Sequence, residues 1–398
     1  MSTPRILFYV QYLLGIGHVR RSALIVQALC RQGAQVDVIF GGASIPNMSF
    51  GTATIHQLTA IKSADAAFSG LVKIDGSAFT DADKRARTEH LLAICQQLQP
   101  DLIVTETYPF GRRQMRFELQ PLLQWIKQQP TPPVLVASIR DILQRRSPVR
   151  EQECIELVQE HYQQILVHGD PRFYPLQKSF PAATEIQHKL HYTGYVCPTM
   201  PDKSSTTTLV SDANFSDPSL QTIVVSIGGG SVGKEILTAA LALYKTGYAS
   251  ELNWLLITGP NMAAAERAYF RAQQRANLQV LALSDDFLNT LKNAHVSISM
   301  AGYNTVMDLL LTRVPAVVIP FAGEGETEQM ARSQVLAEAN ILQLLSEQDL
   351  NTDSLQKAIE NAVQQPPSQL DIDNQGAQQS ATLLISWANQ ALESSADV

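Results

Sequence analysis

The stretch HVSISMAGYNTVMDLLLTRVPAVVIPFAGEGETEQMARSQVLAEANI, residues 295–341, decides the fold of this chain. The apolar run Val296–Met300 predicts a buried strand, and Ala301-Gly302 predicts a tight turn after it. Helical spacing follows as far as Val314-Pro315, and Ala316–Phe321 predicts a second buried strand. Strand, glycine turn, helix and strand in this order form an α/β unit, and the N-terminus of its helix is suited to bind an anion.

Polar residues surround the predicted turn. Asn304 or Thr305 is expected to cap the helix with a side-chain oxygen. Asp308 is expected in the first helical turn, where a carboxylate could accept hydrogen bonds from ribose or sugar hydroxyls. A polar loop, residues 324–329, precedes another helix. Together these features suggest a nucleotide-sugar pocket, and an ordinary strand–helix crossover is the alternative interpretation.

Bulk composition limits the class of protein. The chain has 398 residues, 45% of them hydrophobic, which is enough for two α/β domains. The N-terminus lacks the layout of a signal peptide, and no apolar run reaches the roughly 20 residues that span a bilayer. The four cysteines are scattered and predict reduced thiols in a cytoplasmic protein. The net charge of −7 argues against nucleic acid as a partner.

Two groups of arginines in the first half of the chain could contact an anionic acceptor or an acidic membrane face. We expect membrane contact to be peripheral at most, since such charge runs are more often solvated surface. The two groups are Arg112, Arg113 and Arg116, and Arg145, Arg146 and Arg150.

Each half of the chain begins with a strand, a glycine loop and a helix. In the first half the strand is Arg5–Val10 and the loop is Gly15-Ile16-Gly17-His18; in the second, Ile223–Ile227 precedes Gly228–Gly233. The first loop lacks the full dinucleotide fingerprint, and the strand at Val36–Phe40 ends without an acidic residue, so a hydride-transfer function is disfavoured. Alternation of strands and helices in both halves predicts doubly wound parallel sheets.

The fold class is therefore α/β, with two Rossmann-like domains expected to face each other across a cleft. The predicted parts are an N-terminal acceptor domain (1–195), a linker (196–221), a C-terminal donor domain (222–376), and a C-terminal helix and tail (377–398).

With these loops located, the chain resembles the GT-B glycosyltransferases. It is most similar to the MurG-like family and its uncharacterised "predicted glycosyltransferase" branch. The resemblance is carried by Ser299–Asn340 and Gly228–Gly233, and less strongly by Gly15–Arg20. It implies an inverting transferase whose second domain holds a nucleoside-diphosphate sugar, with UDP as the expected carrier. The segments TETYPFGRR and SIRDIL do not match the acceptor side of the peptidoglycan enzyme, so the resemblance does not imply its acceptor.

Carried over by position, the resemblance also implies the residues of the donor site. They comprise glycine-loop residues, the helix start beside the diphosphate, a ribose-binding acid, a polar pair that reads the sugar and two residues that frame the base. These residues are Gly17, Gly229, Gly230, Ser231, Leu283, Phe287, Gly302, Tyr303, Asn304, Thr305, Asp308, Glu328 and Gln329.

Three residues are candidates for the base that activates the acceptor hydroxyl: His18, Glu106 and Asp141. His18 has a near-neutral intrinsic pKa, and the two carboxylates follow predicted strands. Glu106 could instead form a salt bridge with Arg112 or Arg113. We expect neither a metal nor a cofactor, because helix N-termini and glycine-turn amides can neutralise a diphosphate. Asp285-Asp286 is interpreted as a helix cap.

Two other functions stay open. His168-Gly169-Asp170 is similar to a tripeptide of non-hydrolysing nucleotide-sugar 2-epimerases. In this chain we expect the tripeptide to shape the turn between the domains. A non-catalytic nucleotide-sugar binding protein is the third class. The acceptor could be a lipid, a metabolite or a peptide, and the sequence does not reveal the donor sugar, the base or the oligomeric state.

Overall fold

The structure, a computed structural model, describes residues 3–13, 17–45, 48–64, 70–198, 213–323, 327–366 and 372–396. The chain forms two compact units, one of residues 1–196 with 373–398 and one of residues 197–372. The C-terminal helix, predicted as a separate segment, thus belongs to the first unit. Residues 199–212 of the predicted linker, Gly15-Ile16 and the loop 324–326 lie outside the described residues.

The first unit is built on a seven-stranded parallel sheet. Its order is β3-β2-β1-β6-β7-β8-β9, which is the doubly wound order 3-2-1-4-5-6-7 once a separate hairpin, β4–β5, is set aside. The strands are β1 (Arg5–Val10), β2 (Gln35–Phe40), β3 (Thr54–Gln57), β4 (Ile61–Ser63), β5 (Leu71–Lys73), β6 (Leu102–Glu106), β7 (Val134–Arg140), β8 (Gln164–His168) and β9 (Leu190–Tyr192).

Apolar helix faces cover both sides of this sheet. Its inner strands are buried on both faces, as parallel strands are, which explains their continuous runs of Val, Ile and Leu. The α-helices of the unit are α1 (Gly17–Arg31), α2 (Asp81–Leu98), α3 (Arg116–Lys127) and α4 (Pro148–His161), and the last helix of the chain, Gly376–Ala396, packs on α1.

The polar sequence of residues 43–83, with its scattered glycines, favours loops, but part of this segment forms strands. The segment contains β3 at one edge of the sheet and the short hairpin β4–β5. Its strands are short, and only two of their ten residues are buried, so they carry no apolar run from which they could be recognised.

A buried ion pair lies in the core of the first unit. Nε of Arg87 on α2 donates to Oε2 of Glu118 on α3 at 2.7 Å, and both side chains are fully buried. The hydroxyl of Tyr9 also donates to Glu118, and burial raises the pKa of Tyr9 well above its usual value. Arg87 further donates to the carbonyls of Gly41 and Thr59, so the pair joins two helices to the loops that follow β2 and β3.

The second unit has a six-stranded parallel sheet in the order β12-β11-β10-β13-β14-β15, again 3-2-1-4-5-6. Its strands are β10 (Thr222–Ser226), β11 (Asn253–Ile257), β12 (Leu278–Leu281), β13 (Ala294–Ser299), β14 (Ala316–Val318) and β15 (Gln343–Leu344). Its helices are α5 (Lys234–Lys245), α6 (Ala264–Arg271), α7 (Phe287–Lys292), α8 (Tyr303–Thr312), α9 (Glu328–Glu338) and α10 (Thr352–Gln364). The last helix of the chain, α11 (Gly376–Ala396), belongs to the first unit.

Two doubly wound parallel sheets in one α/β chain confirm the predicted fold class. Within the described ranges, no helix is both long and apolar enough to cross a bilayer.

Candidate active site

The second unit places two glycine-containing turns at the switch point of its sheet. β10 and β13 are adjacent and parallel, and the strand order reverses between them, where open α/β sheets bind ligands. The glycine turn 228–233 follows β10, and Gly302 follows β13. The turns lie against each other, because a Cβ on Gly233 would come within 2.7 Å of Sδ of Met300.

The glycine turn is held tightly by the loop after β11. Gly230 has a φ of +85°, and a Cβ there would lie 2.4 Å from the carbonyl oxygen of Thr258. The N–H of Asn261 donates to the carbonyl of Gly229 at 2.9 Å. Only glycine fits such a close approach of two backbones. The turn therefore presents a fixed backbone, with Gly229 and Ser231 exposed.

Helix α8 begins at Tyr303, and its N-cap is Gly302. The expectation that Asn304 or Thr305 caps this helix is therefore wrong: both lie within its first turn. Since a glycine N-cap has no side chain, it leaves the first-turn N–H groups to other partners, and the helix dipole favours an anionic one. Tyr303, Asn304 and Thr305 form the first turn of α8, and their contact with a phosphate stays a prediction.

Asp308 lies in the second turn of α8, so the expectation of a first-turn position is wrong. Its side chain is buried, with 1% of the residue exposed. Leu283 follows β12 and is 55% exposed, which leaves an apolar surface beside the sheet end, and Phe287 at the start of α7 is partly buried. The side chain of Asp286 accepts from the N–H of Asn289 at 3.1 Å, which confirms the predicted helix cap.

Glu328 and Gln329 make bonds inside the unit. Oε1 of Gln329 accepts from the N–H groups of Ala301 and Phe321, both at 3.2 Å, and so joins the ends of β13 and β14. Glu328 pairs with Arg332 at 2.8 Å, and both are buried. The Arg332 guanidinium also stacks over the Tyr303 ring, 5.4 Å from its centroid. Sequence reasoning missed Arg332, which supports the start of α8 from behind.

In the first unit, His18 and Glu106 lie at the equivalent switch point, where β1 and β6 are neighbours. Arg21 of α1 donates to Oε1 of Glu106 at 2.7 Å, and Nη2 of Arg112 lies 3.9 Å from Oε2. The same Nη2 donates to Nε2 of His18. The expected salt bridge from Glu106 to Arg112 is thus present, and a stronger one to Arg21 was not predicted.

Burial and the neighbouring arginines together favour the unprotonated form of His18. Burial is the main cause that holds the pKa of His18 well below its usual value, and the positive charges of Arg112, Arg21 and Arg140 lower it further. Part of the residue nonetheless remains exposed. An imidazole that stays neutral near pH 7 is in the form that can accept a proton.

The loop that carries Arg112 has an unusual backbone. Thr107 and Arg112 both have positive φ, +67° and +59°, although neither is glycine. For a β-branched residue such as Thr107 this conformation is rare and unfavourable. Gly111 permits it, because a Cβ there would lie 2.3 Å from Cγ2 of Thr107. Strained residues of this kind concentrate at functional sites.

Asp141 and His168 are parts of the packed interior. Asp141 follows β7 and is fully buried. A Cβ on Gly169 would lie 2.6 Å from the Cβ of Asp141. His168 bonds through Nε2 to the Ser138 hydroxyl at 2.8 Å and through Nδ1 to the Thr193 hydroxyl at 2.9 Å. With both ring nitrogens engaged inside the protein, His168 is a poor candidate for acid–base chemistry on a substrate. In the described part of the chain, no group of three or more potential ligands is arranged to hold a metal ion.

Comparison with known proteins identifies the class. Solved structures that share the fold include the calicheamicin glycosyltransferase CalG4, with a TM-score of 0.60, 14% identity and coverage of 100% of this chain and 98% of that one. MurG of Acinetobacter baumannii gives a TM-score of 0.56, 16% identity and coverage of 96% and 100%. A Listeria monocytogenes protein proposed to be a UDP-N-acetylglucosamine 2-epimerase gives a TM-score of 0.62 and 12% identity. The match covers 99% of this chain and 98% of that one. The chain therefore has the GT-B fold, as predicted.

The second half of the chain resembles a known domain family. Residues 224–386 match the glycosyltransferase family 28 C-terminal domain. A relative in Chromobacterium violaceum, UDP-N-acetylglucosamine–N-acetylmuramyl-(pentapeptide) pyrophosphoryl-undecaprenol N-acetylglucosamine transferase, is 31% identical over 134 residues. That match covers 33% of this chain and 37% of the relative, so it spans well under half of either protein. The same enzyme of Shewanella frigidimarina is 24% identical over 37% of this chain and 41% of its own length. The predicted MurG-like resemblance is confirmed.

Proposed function

We propose that this protein is a glycosyltransferase that moves a sugar from a nucleoside diphosphate, of the uridine type, to an acceptor hydroxyl. One observation carries the proposal: the rigid glycine turn after β10 and the glycine-capped start of α8 lie together at the switch point of the second sheet. This arrangement falls within the segment that matches the family 28 domain. We further propose that transfer inverts the anomeric centre and needs no metal ion.

The second unit would bind the donor. The first-turn N–H groups of α8 and the backbone of the glycine turn would receive the diphosphate oxygens, and the helix dipole would stabilise the charge that grows on the leaving group. Asp308 would accept the ribose hydroxyls, and Leu283 with Phe287 would frame the base. Glu328 and Gln329 remain the predicted readers of the sugar, and their internal bonds also fix the start of α8.

The first unit would bind the acceptor. In a single displacement, the acceptor oxygen forms a bond to the anomeric carbon as the bond from that carbon to the diphosphate breaks, and the hydroxyl proton passes to a base. We assign this base to His18, because its lowered pKa leaves it unprotonated. Glu106 and Asp141 would act less directly, since Arg21 pairs with the first and packing encloses the second. A cytoplasmic protein with at most peripheral membrane contact fits this assignment.

The test is a panel of radiolabelled nucleotide sugars incubated with the protein, with and without added acceptors. Transfer, or slow hydrolysis to free sugar and nucleoside diphosphate, is the expected result. A nucleotide sugar inverted at C2 would instead show an epimerase, and binding without turnover would show a non-catalytic module. A His18→Gln variant that keeps donor affinity but loses turnover would tie the reaction to this chain.

A further inference from the structure

Helix α9 contacts the residue before α8 through two side chains, those of Gln329 and Arg332. The two residues are three positions apart, so they lie on the same face of α9. Oε1 of Gln329 accepts from the N–H of Ala301 at 3.2 Å, and Nη1 of Arg332 donates to the carbonyl of Ala301 at 3.3 Å. Both backbone polar groups of Ala301 are therefore bound by α9.

Arg332 also reaches the other side of Gly302. Its guanidinium lies over the ring of Tyr303, the first residue of α8, with 5.4 Å between Cζ and the ring centroid. Nη2 of the same group donates to Oε1 of Glu328 at 2.8 Å, and both charged side chains are buried. Arg332 thus contacts the residues that precede and follow Gly302, while the carboxylate of Glu328 balances its charge.

Gly302 itself is not confined by packing. Its φ of −60° is available to any residue, and a Cβ there would have no atom within 4 Å among the described residues. A glycine N-cap also has no side chain that could bind the first-turn N–H groups. Since glycine loses more conformational freedom on ordering than any other residue, this turn depends on contacts made by its neighbours, and α9 provides them.

We propose that Gln329 and Arg332 are positioning residues of the donor site. By binding Ala301 they fix the direction of the N–H groups at the start of α8, and they raise the affinity for the diphosphate without contacting it. Amides that are already oriented bind an anion more tightly, because binding does not have to order them. This proposal rests on the proposed transferase function and adds the residues that prepare its donor site.

The resemblance implies a different role for Gln329, a contact with the transferred sugar. The two roles predict different results with UDP, which lacks that sugar. Loss of a sugar contact leaves the affinity for UDP unchanged, whereas loss of a positioning contact lowers it. UDP is therefore the probe that separates them.

The first experiment measures the Kd of UDP and of uridine, which has no phosphate, by calorimetric titration. Gln329→Leu removes the acceptor for the Ala301 N–H without a change of charge, and Arg332→Met removes the donor to its carbonyl. Each should raise the Kd of UDP about tenfold, as expected for loss of one charged hydrogen bond, and leave the Kd of uridine nearly unchanged. UDP affinity kept by either variant, or equal losses for UDP and uridine, would overturn the proposal.

The control for a general loss of stability is Leu243→Ala. Leu243 is buried near the end of α5, away from the glycine turn that precedes this helix, so its truncation leaves a cavity without touching either turn. This variant should be less stable and should bind UDP as the unaltered protein does. If Arg332→Met does not fold, because it leaves the Glu328 carboxylate buried without its ion-pair partner, Arg332→Met/Glu328→Gln makes the same comparison.

The second experiment follows amide hydrogen exchange by NMR in the absence of any ligand. The N–H of Val306 donates to the carbonyl of Gly302, and the N–H of Ile236 donates to the carbonyl of Gly233, both at 3.0 Å. Both acceptors are glycine N-caps, of α8 and of α5. Gln329→Leu should speed exchange at Val306 and not at Ile236. Equal acceleration at both amides would indicate a general loss of stability, and acceleration at neither would show that α8 begins independently of α9; either result would overturn the proposal.

The two proposals can fail separately. If the unaltered protein binds no UDP, the transferase function fails, and faster exchange at Val306 alone would still show that Gln329 fixes the start of α8. UDP binding that Gln329→Leu and Arg332→Met both retain would refute the positioning role and leave the transferase.

Discussion

Replacement of Gly230 by alanine tests whether the glycine turn is a rigid part of the donor site. Gly230 and Gly247 have nearly the same φ, +85° and +88°, but their surroundings differ. A Cβ on Gly230 would lie 2.4 Å from the carbonyl oxygen of Thr258, whereas a Cβ on Gly247 would have no atom within 4 Å. Gly247→Ala is therefore a matched control that has the backbone strain without the collision.

The expected losses differ by the energy of the collision. Left-handed backbone costs an alanine roughly 1–2 kcal/mol at either position. Overpacking against backbone that cannot rotate away adds about 1–3 kcal/mol at Gly230 alone. The turn must shift to relieve the collision, so UDP affinity should fall in Gly230→Ala and remain unchanged in Gly247→Ala.

The assay is urea unfolding followed by the fluorescence of Trp254, which is fully buried in the second unit. Replacing Trp125 and Trp387 by phenylalanine in all proteins leaves it as the sole tryptophan reporter, since the chain has three. Calorimetric titration with UDP gives the affinities. Equal unfolding free energies for the two alanine variants, or UDP affinity retained by Gly230→Ala, would refute the reasoning.

Three further predictions follow from individual contacts. Arg112→Met should move the acid limb of the kcat/KM profile to higher pH. His18 must be unprotonated to act, and loss of the Arg112 charge raises its pKa. Burial, the larger cause of the lowered pKa, is unchanged in this variant. A limb that does not move, or moves to lower pH, would count against His18 as the base. Asp308→Asn should weaken UDP binding about tenfold in calorimetry, and unchanged affinity would remove Asp308 from the donor site. Arg87→Met should lower the unfolding free energy by about 3–5 kcal/mol, because it leaves the Glu118 carboxylate buried without its ion-pair partner. The double variant Arg87→Met/Glu118→Gln should recover part of this loss. A double variant less stable than the single one would contradict the prediction.

The sequence predicts the parts of the fold that depend on apolar runs and glycine turns. The strand Arg5–Val10 was predicted with its observed bounds, because five of its six residues are buried on a parallel sheet and are apolar. The edge strand Thr54–Gln57 could not be found in this way, because its residues are mostly exposed and polar. Its pairing depends on backbone hydrogen bonds, which leave no pattern in the residue types.

In the candidate site, too, only some of the residues could be predicted from the sequence. The positions of Gly230 and Gly302 were predictable, since each follows a recognisable buried strand. The partners of Glu106 were only half predictable: Arg112 is close in sequence, but Arg21 lies 85 residues away and meets Glu106 only through the order of the strands. Asp308 was expected one turn too early because the helix start depends on a glycine N-cap that carries no side-chain signal. Arg332 was missed because its contacts with Glu328 and Tyr303 appear only when α8 and α9 pack together.

A crystal structure of the protein with bound UDP would test the central claim most directly. The account predicts diphosphate oxygens about 3 Å from the first-turn N–H groups of α8, at Tyr303 and Asn304, with the glycine turn at Gly230 unchanged. A diphosphate bound away from both turns, or crystals that take up no UDP at saturating concentration, would contradict it.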